Sequence, residues 1–195
     1  MLQILDRSLK TWHVGALNGA ALAWFAAITY ASGLSVPQAS FFRCPIGLCL
    51  AGYTANDASL MLRIIGQEGR TFLERVLLPM DRVMPALLAV ALIATILRLT
   101  RAKDRVSIPL DPVYRYMLMA VPLLYAAADY TENWAFSEML KAYPSINYRL
   151  VARASLSTAL KSQMVAASIG IAAALAIAAA LRARGQRPDE PADKS

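Results

Sequence analysis

The residues able to do chemistry concentrate in the stretch YAAADYTENWAF, Tyr125 to Phe136, where Asp129, Glu132 and Asn133 follow an apolar run without a turn signal. Positions 129, 132 and 133 stand at i, i+3 and i+4 and share one face of a helix. Carboxylates grouped in this way can hold a divalent cation through oxygen ligands. They can also bind a cationic or hydroxyl-rich ligand, or keep one carboxyl protonated as a general acid. A second candidate pair is Cys44 and Cys49 in RCPIGLC. Its spacing is not that of a Cys-x-x-Cys redox pair, and the single histidine, His13, is far away in sequence. The reading is a structural disulfide, with Pro45 and Gly47 supplying the turn, worth about 2 kcal/mol by loop closure. Two free thiols packed as small hydrophobes are the alternative.

The elements that must position these groups follow from composition. A chain of 195 residues that is 57% hydrophobic and 17% charged, with mean hydropathy +0.44, has more apolar surface than one small soluble core can hide. The net charge of +7 comes from basic residues at the ends of apolar runs, which argues against nucleic acid and for membrane topology. The expectation is an all-α, polytopic membrane protein of four transmembrane helices in an antiparallel bundle, with a short helical cap on the outer side. Spans are expected at about 14–31, 80–98, 114–135 and 161–181, since crossing the hydrocarbon takes about 20 residues. The outer cap covers about 32–79, the single domain 1–182, and 183–195, rich in proline and charge, is expected as a disordered cytoplasmic tail.

The first span reads as an anchor rather than a cleavable signal, because its apolar run is longer than a usual signal core and ITYASGLS offers no clean small-x-small cleavage site. Arg7 and Lys10 precede it, Arg98, Arg101, Lys103 and Arg105 fill the second connection, and Arg182, Arg184 and Arg187 follow the last span. By the positive-inside rule both termini are expected in the cytoplasm of a bacterial inner membrane. The segments 32–80 and 137–160 become the outer connections. Within the first, Thr54 or Asn56 caps a short amphipathic helix that stops at Gly66. Phe72, Leu73, Val76, Leu77 and Met80 then form a stripe running into the second span past Pro79 and Pro85, which should kink it. In the first span Gly15, Gly19, Ala23 and Ala27 make a ridge suited to an internal contact, a homodimer or another membrane subunit. Ala166, Gly170, Ala174 and Ala178 repeat the pattern in the fourth.

At about 1.5 Å per residue from Arg115, Asp129 lies about 21 Å and Asn133 about 27 Å into a core about 30 Å thick. The third helix must therefore absorb them and turn their face inward, since carboxylates facing lipid are costly. The same ruler puts Asp81 on the second helix and Lys161 on the fourth at similar depth. One polar cluster of Asp81, Asp129, Glu132, Asn133 and Lys161 is expected near the outer interface, with Asp81, Asp129 and Glu132 as possible ligands of a divalent cation. Tyr53, Glu68 and Arg70 are candidates to cap it, or solvated loop residues.

The order GYT at 52–54, GQEGR at 66–70, PMDRVMP at 79–85, DYTEN at 129–133 and the late Lys161 resembles uncharacterised four-helix bacterial membrane proteins. The resemblance spans roughly residues 50 to 165 and implies the place of the site, with no established activity. The plan is also similar to that of vitamin K epoxide reductases, whose Cys-x-x-Cys pair this chain lacks. Three function classes fit these residues. One is a binding protein for a metal, lipid head group or small polar ligand. Another is a structural or scaffold subunit with the cluster as a helix-register pin. The third is a membrane-embedded enzyme acting on a lipid or isoprenoid.

Overall fold

The computed structural model describes residues 9–35, 52–101 and 107–185. These are 87% helical, and no strand occurs among them. The helices are α1 (Thr11–Ser35), α2 (Ala55–Ile64), α3 (Gly66–Phe72), α4 (Leu78–Asp81), α5 (Met84–Leu99), α6 (Pro112–Ala142) and α7 (Tyr148–Gly185). A π-helical turn, Leu73–Leu77, joins α3 to α4. Among the described residues three segments are long and apolar enough to cross a membrane: Thr11–Gly33, Gly66–Leu99 and Tyr148–Gly185. Of the four expected spans, the third, on α6, has the length but carries Asp129, Glu132, Glu138 and Lys141 along its second half.

The run from α3 to α5 shows what its prolines do. Pro79 has no N–H to donate, and the turn before it widens so that the Leu78 amide bonds the Leu73 carbonyl. Pro85 interrupts the ladder again, and α4 and α5 are separated by a turn at Arg82 and Val83. The Met80 carbonyl at this break accepts a hydrogen bond from Trp24 Nε1 of α1 at 3.0 Å. Farther along, Asn18 Nδ2 donates to Thr95 Oγ1 at 2.9 Å. These two bonds orient α1 on α5 through the face that carries Leu17, Asn18, Ala21, Trp24 and Ile28. Gly15, Gly19, Ala23 and Ala27 are all exposed, so among the described residues the ridge makes no internal seam.

The cap is organised by Thr54 and Asp57. Thr54 Oγ1 accepts from the Asp57 amide at 3.2 Å, while Asp57 Oδ2 accepts from the Thr54 amide at 2.8 Å. This capping box satisfies the first amides of α2, and the helix ends at Gly66, whose φ of 67° suits a residue without Cβ. Gly52, at φ 79°, lies so close to Ser155 that a Cβ would collide with its hydroxyl. Ser155 Oγ in turn accepts from the Tyr53 amide at 2.8 Å, tying the cap to α7.

The segment expected as the outer connection 137–160 is helical except at residues 143–147. Its polar residues hid it from a hydropathy ruler, but Phe136, Met139 and Leu140 of α6 and Val151 and Ala154 of α7 pack on Tyr53, Leu62, Leu73 and Leu77. The cap thus supplies the apolar partner that keeps both helices going beyond their apolar runs. At the opposite end arginines link the helices. Arg98 donates to Thr11 Oγ1 at 3.2 Å, Arg101 to the Leu9 carbonyl at 2.8 Å, Arg115 to Thr100 Oγ1 at 3.2 Å and Arg182 to the Ser107 carbonyl at 3.2 Å.

Candidate functional site: a buried acid and lysine cluster

Along α6 the buried positions Tyr125, Ala128, Asp129, Glu132, Asn133, Phe136, Met139 and Leu140 recur every three or four residues. The carboxylates therefore lie on the same face as the core residues, as the i, i+3, i+4 spacing requires. Asp129 is 3% exposed and Glu132 4%, which leaves them little solvent to share their charge with. Lys161 reaches them from α7, its ammonium 2.9 Å from Asp129 Oδ1 and 2.6 Å from Glu132 Oε2. The second Asp129 oxygen accepts from the Tyr125 hydroxyl at 3.0 Å.

Asp81, at the end of α4, is half-buried and faces Asp129, Lys161 and Asn133. Its carboxylate is near Asn133, yet the Asn133 amide nitrogen is buried without a hydrogen bond of normal geometry. The prolines that break the helix on either side put Asp81 at a helix end, where its carboxylate can turn toward α6. The cluster thus holds three carboxyl groups around one ammonium, two of them paired with it directly. Lys161 satisfies that pair, and Asp81 remains as surplus acid.

The structure brings together all five residues expected of the site. It adds Tyr125, which stands four residues before Asp129 on the same face, and Thr158, three before Lys161. Both spacings are legible in the sequence once the face is known. Tyr53, proposed as a cap, is buried and its ring reaches the neighbourhood of Glu132, Thr158 and Lys161. Arg70 is engaged elsewhere, donating to the Leu62 carbonyl at 2.7 Å and lying 4.2 Å from the Tyr143 ring centroid. Glu68 is exposed.

Asp81, Asp129 and Glu132, expected as possible metal ligands, all face the Lys161 ammonium. Among the described residues no three His, Cys, Asp or Glu side chains are grouped to hold an ion. The physical reason is Lys161: its ammonium occupies the place between Asp129 and Glu132 that a cation would take, and neutralises the charge that would draw one. Cys44 and Cys49 lie outside the described residues. Comparison of the chain with protein-family models, with curated proteins and with solved structures finds no match.

Proposed function

We propose that this chain is a four-span integral protein of the bacterial inner membrane, both termini cytoplasmic, whose acid-rich cluster near the outer interface binds a small polar ligand or lipid head group. The observation that carries the reading is Asp81. A pin that fixes helix register needs only the pair of acids that Lys161 already joins, whereas Asp81 adds a carboxylate facing the same lysine with no ion pair of its own among the described residues. Such surplus acid favours an amine or a hydroxyl-rich group. Support for α6 as the third of four spans is its length, 31 residues, and its extensive packing along α7 and α5. Support for a shared side of the termini is the arginine-tied end, where residues next to the first helix, the second connection and the end of α7 meet.

The experiment compares melting of the purified protein and of Asp81→Asn, each alone and with ethanolamine, glycerol and lipid vesicles. Asp81→Asn should leave the empty protein as stable as the parent or more so, because it relieves repulsion, and should remove any stabilisation by the added compound. A parent that responds to no compound, together with an Asp81→Asn variant that is less stable, rejects binding.

A second reading, the structural or scaffold subunit, is favoured by the bidentate arrangement of Lys161. An ion pair that joins α6 to α7 through two carboxylates fixes their relative register, whatever else the cluster does.

A further inference from the structure

Beside the acid cluster, on the outward flank of α6, lies a groove of about 320 Å³ lined by Arg82, Tyr130, Asn133, Trp134, Ser137, Glu138 and Lys141. Its charge is opposite to that of the cluster. Arg82 and Lys141 line it, and Arg153 of α7 stacks 5.4 Å from the Trp134 ring centroid. Against these three cations stands one carboxylate, Glu138, paired with Lys141 at 2.8 Å. That pair is solvent-exposed, so exchanging it for a stronger acceptor costs little. Arg82 makes no hydrogen bond or ion pair among the described residues and is exposed.

Two further features indicate a ligand rather than a solvated face. Asn133 is 7% exposed, lines the groove, and its amide nitrogen, near the Asp81 carboxylate, makes no hydrogen bond of normal geometry among the described residues. A buried donor left unpaired is costly, and a ligand oxygen is one way to satisfy it. Trp134 and Tyr130, 49% and 40% exposed, flank the cations with amphipathic rings. Aromatic rings of this kind sit at the head-group level of a bilayer.

We infer that this groove binds the phosphodiester of a bilayer phospholipid, with Arg82 and Lys141 on the phosphate oxygens, Asn133 and Ser137 as neutral donors, and Trp134 and Tyr130 against the glycerol and the upper acyl chain. Guanidinium and ammonium groups form charge-assisted hydrogen bonds to phosphate, and guanidinium does so with two parallel donors. The inference rests on the membrane-spanning reading above and deepens it. The acid cluster attracts an amine or hydroxyl, and the groove beside it attracts the phosphate that joins such a group to the lipid.

Native mass spectrometry of the full chain, released from detergent after equilibration with phosphatidylglycerol, tests this. The parent should retain phosphatidylglycerol and should not retain diacylglycerol, which has the same chains and no phosphate. Arg82→Gln combined with Lys141→Gln should lower retention about a hundredfold, one factor of ten for each charged contact. Arg82→Lys with Lys141→Arg, which keeps both charges, should retain the lipid, so that a misfolded glutamine variant does not decide the matter. Equal retention of phosphatidylglycerol and diacylglycerol overturns the inference, as does retention by the glutamine variant equal to that of the parent. Displacement of the lipid by millimolar inorganic phosphate would assign the groove to free anions and also overturns it. Asp81→Asn separates the two proposals. Loss of lipid in that variant alone rejects the groove and leaves the cluster's ligand reading standing, whereas lipid retention without any cluster response to ethanolamine or glycerol does the reverse.

Discussion

At the scale of single residues, the cluster is asymmetric, and mutation should expose the asymmetry. Lys161 has two carboxylate partners, while Asp129 and Glu132 each have, among the described residues, only that one ammonium at ion-pair distance. Asp129→Asn leaves Lys161 paired with Glu132 and should cost about 1–2 kcal/mol in thermal unfolding. Lys161→Met leaves two carboxylates desolvated without a counter-charge and should cost about 3–5 kcal/mol. Equal losses in the two variants would show that the lysine is not shared. Tyr125→Phe removes one hydrogen bond to Asp129 without emptying the site, and a loss of about 1 kcal/mol is expected from the same melting curves.

At the scale of elements, the cap carries more than its short helices suggest. Its capping box begins α2, and Thr54→Ala should destabilise by about 1 kcal/mol, read by thermal melting of the purified protein. The Thr54 hydrogen bonds hold the Asp57 carboxyl below its ordinary value. A group whose folded value is depressed adds stability above its unfolded value and loses it as pH falls through the folded one. The difference between the parent and Thr54→Ala should therefore shrink on acidification below the usual carboxylate range, and a pH-independent difference would contradict the capping role. The break around Asp81 is a second device of this kind. The Met80 carbonyl accepts both the Val83 amide at 3.2 Å and Trp24 Nε1 at 3.0 Å, so Trp24→Phe should loosen α1 from the end of α4. Proteolysis that cuts the variant between α1 and α2 at the parent's rate would reject that role.

At the scale of the whole molecule, polar ties at the two ends hold the helices around an apolar middle. The arginine end joins α1 to α5, and α6 and α7 to the segment between α5 and α6; the other end holds the acid cluster under its cap. With both termini proposed as cytoplasmic, a reporter active only in the cytoplasm should work after Arg184 and near Lys103, and fail near Asn56. The reverse pattern overturns the orientation. On the outward side, Cys44 and Cys49 are proposed to be joined. Alkylation without reduction should label neither, and full labelling of both rejects the disulfide.

By itself the sequence determined the helical class, three of the candidate membrane segments and the shared face of Asp129, Glu132 and Asn133, because hydropathy and helical spacing are local properties of the chain. It also placed Asp81 and Lys161 near that face, since rise per residue converts position into depth along any helix. Tertiary structure decided which groups pair. Only packing shows Lys161 between Asp129 and Glu132, and Tyr125 as the second partner of Asp129. Helix ends at Ala142 and Tyr148 were likewise hidden, because the apolar surface that sustains α6 and α7 there belongs to the distant cap residues Tyr53, Leu62 and Leu77. The arginines at the end opposite the cap read in sequence as charges that set topology. Their bonds to Thr11, Leu9, Thr100 and Ser107 exist only once the helix ends are brought together, because each joins residues that are neighbours in the fold and not in the chain.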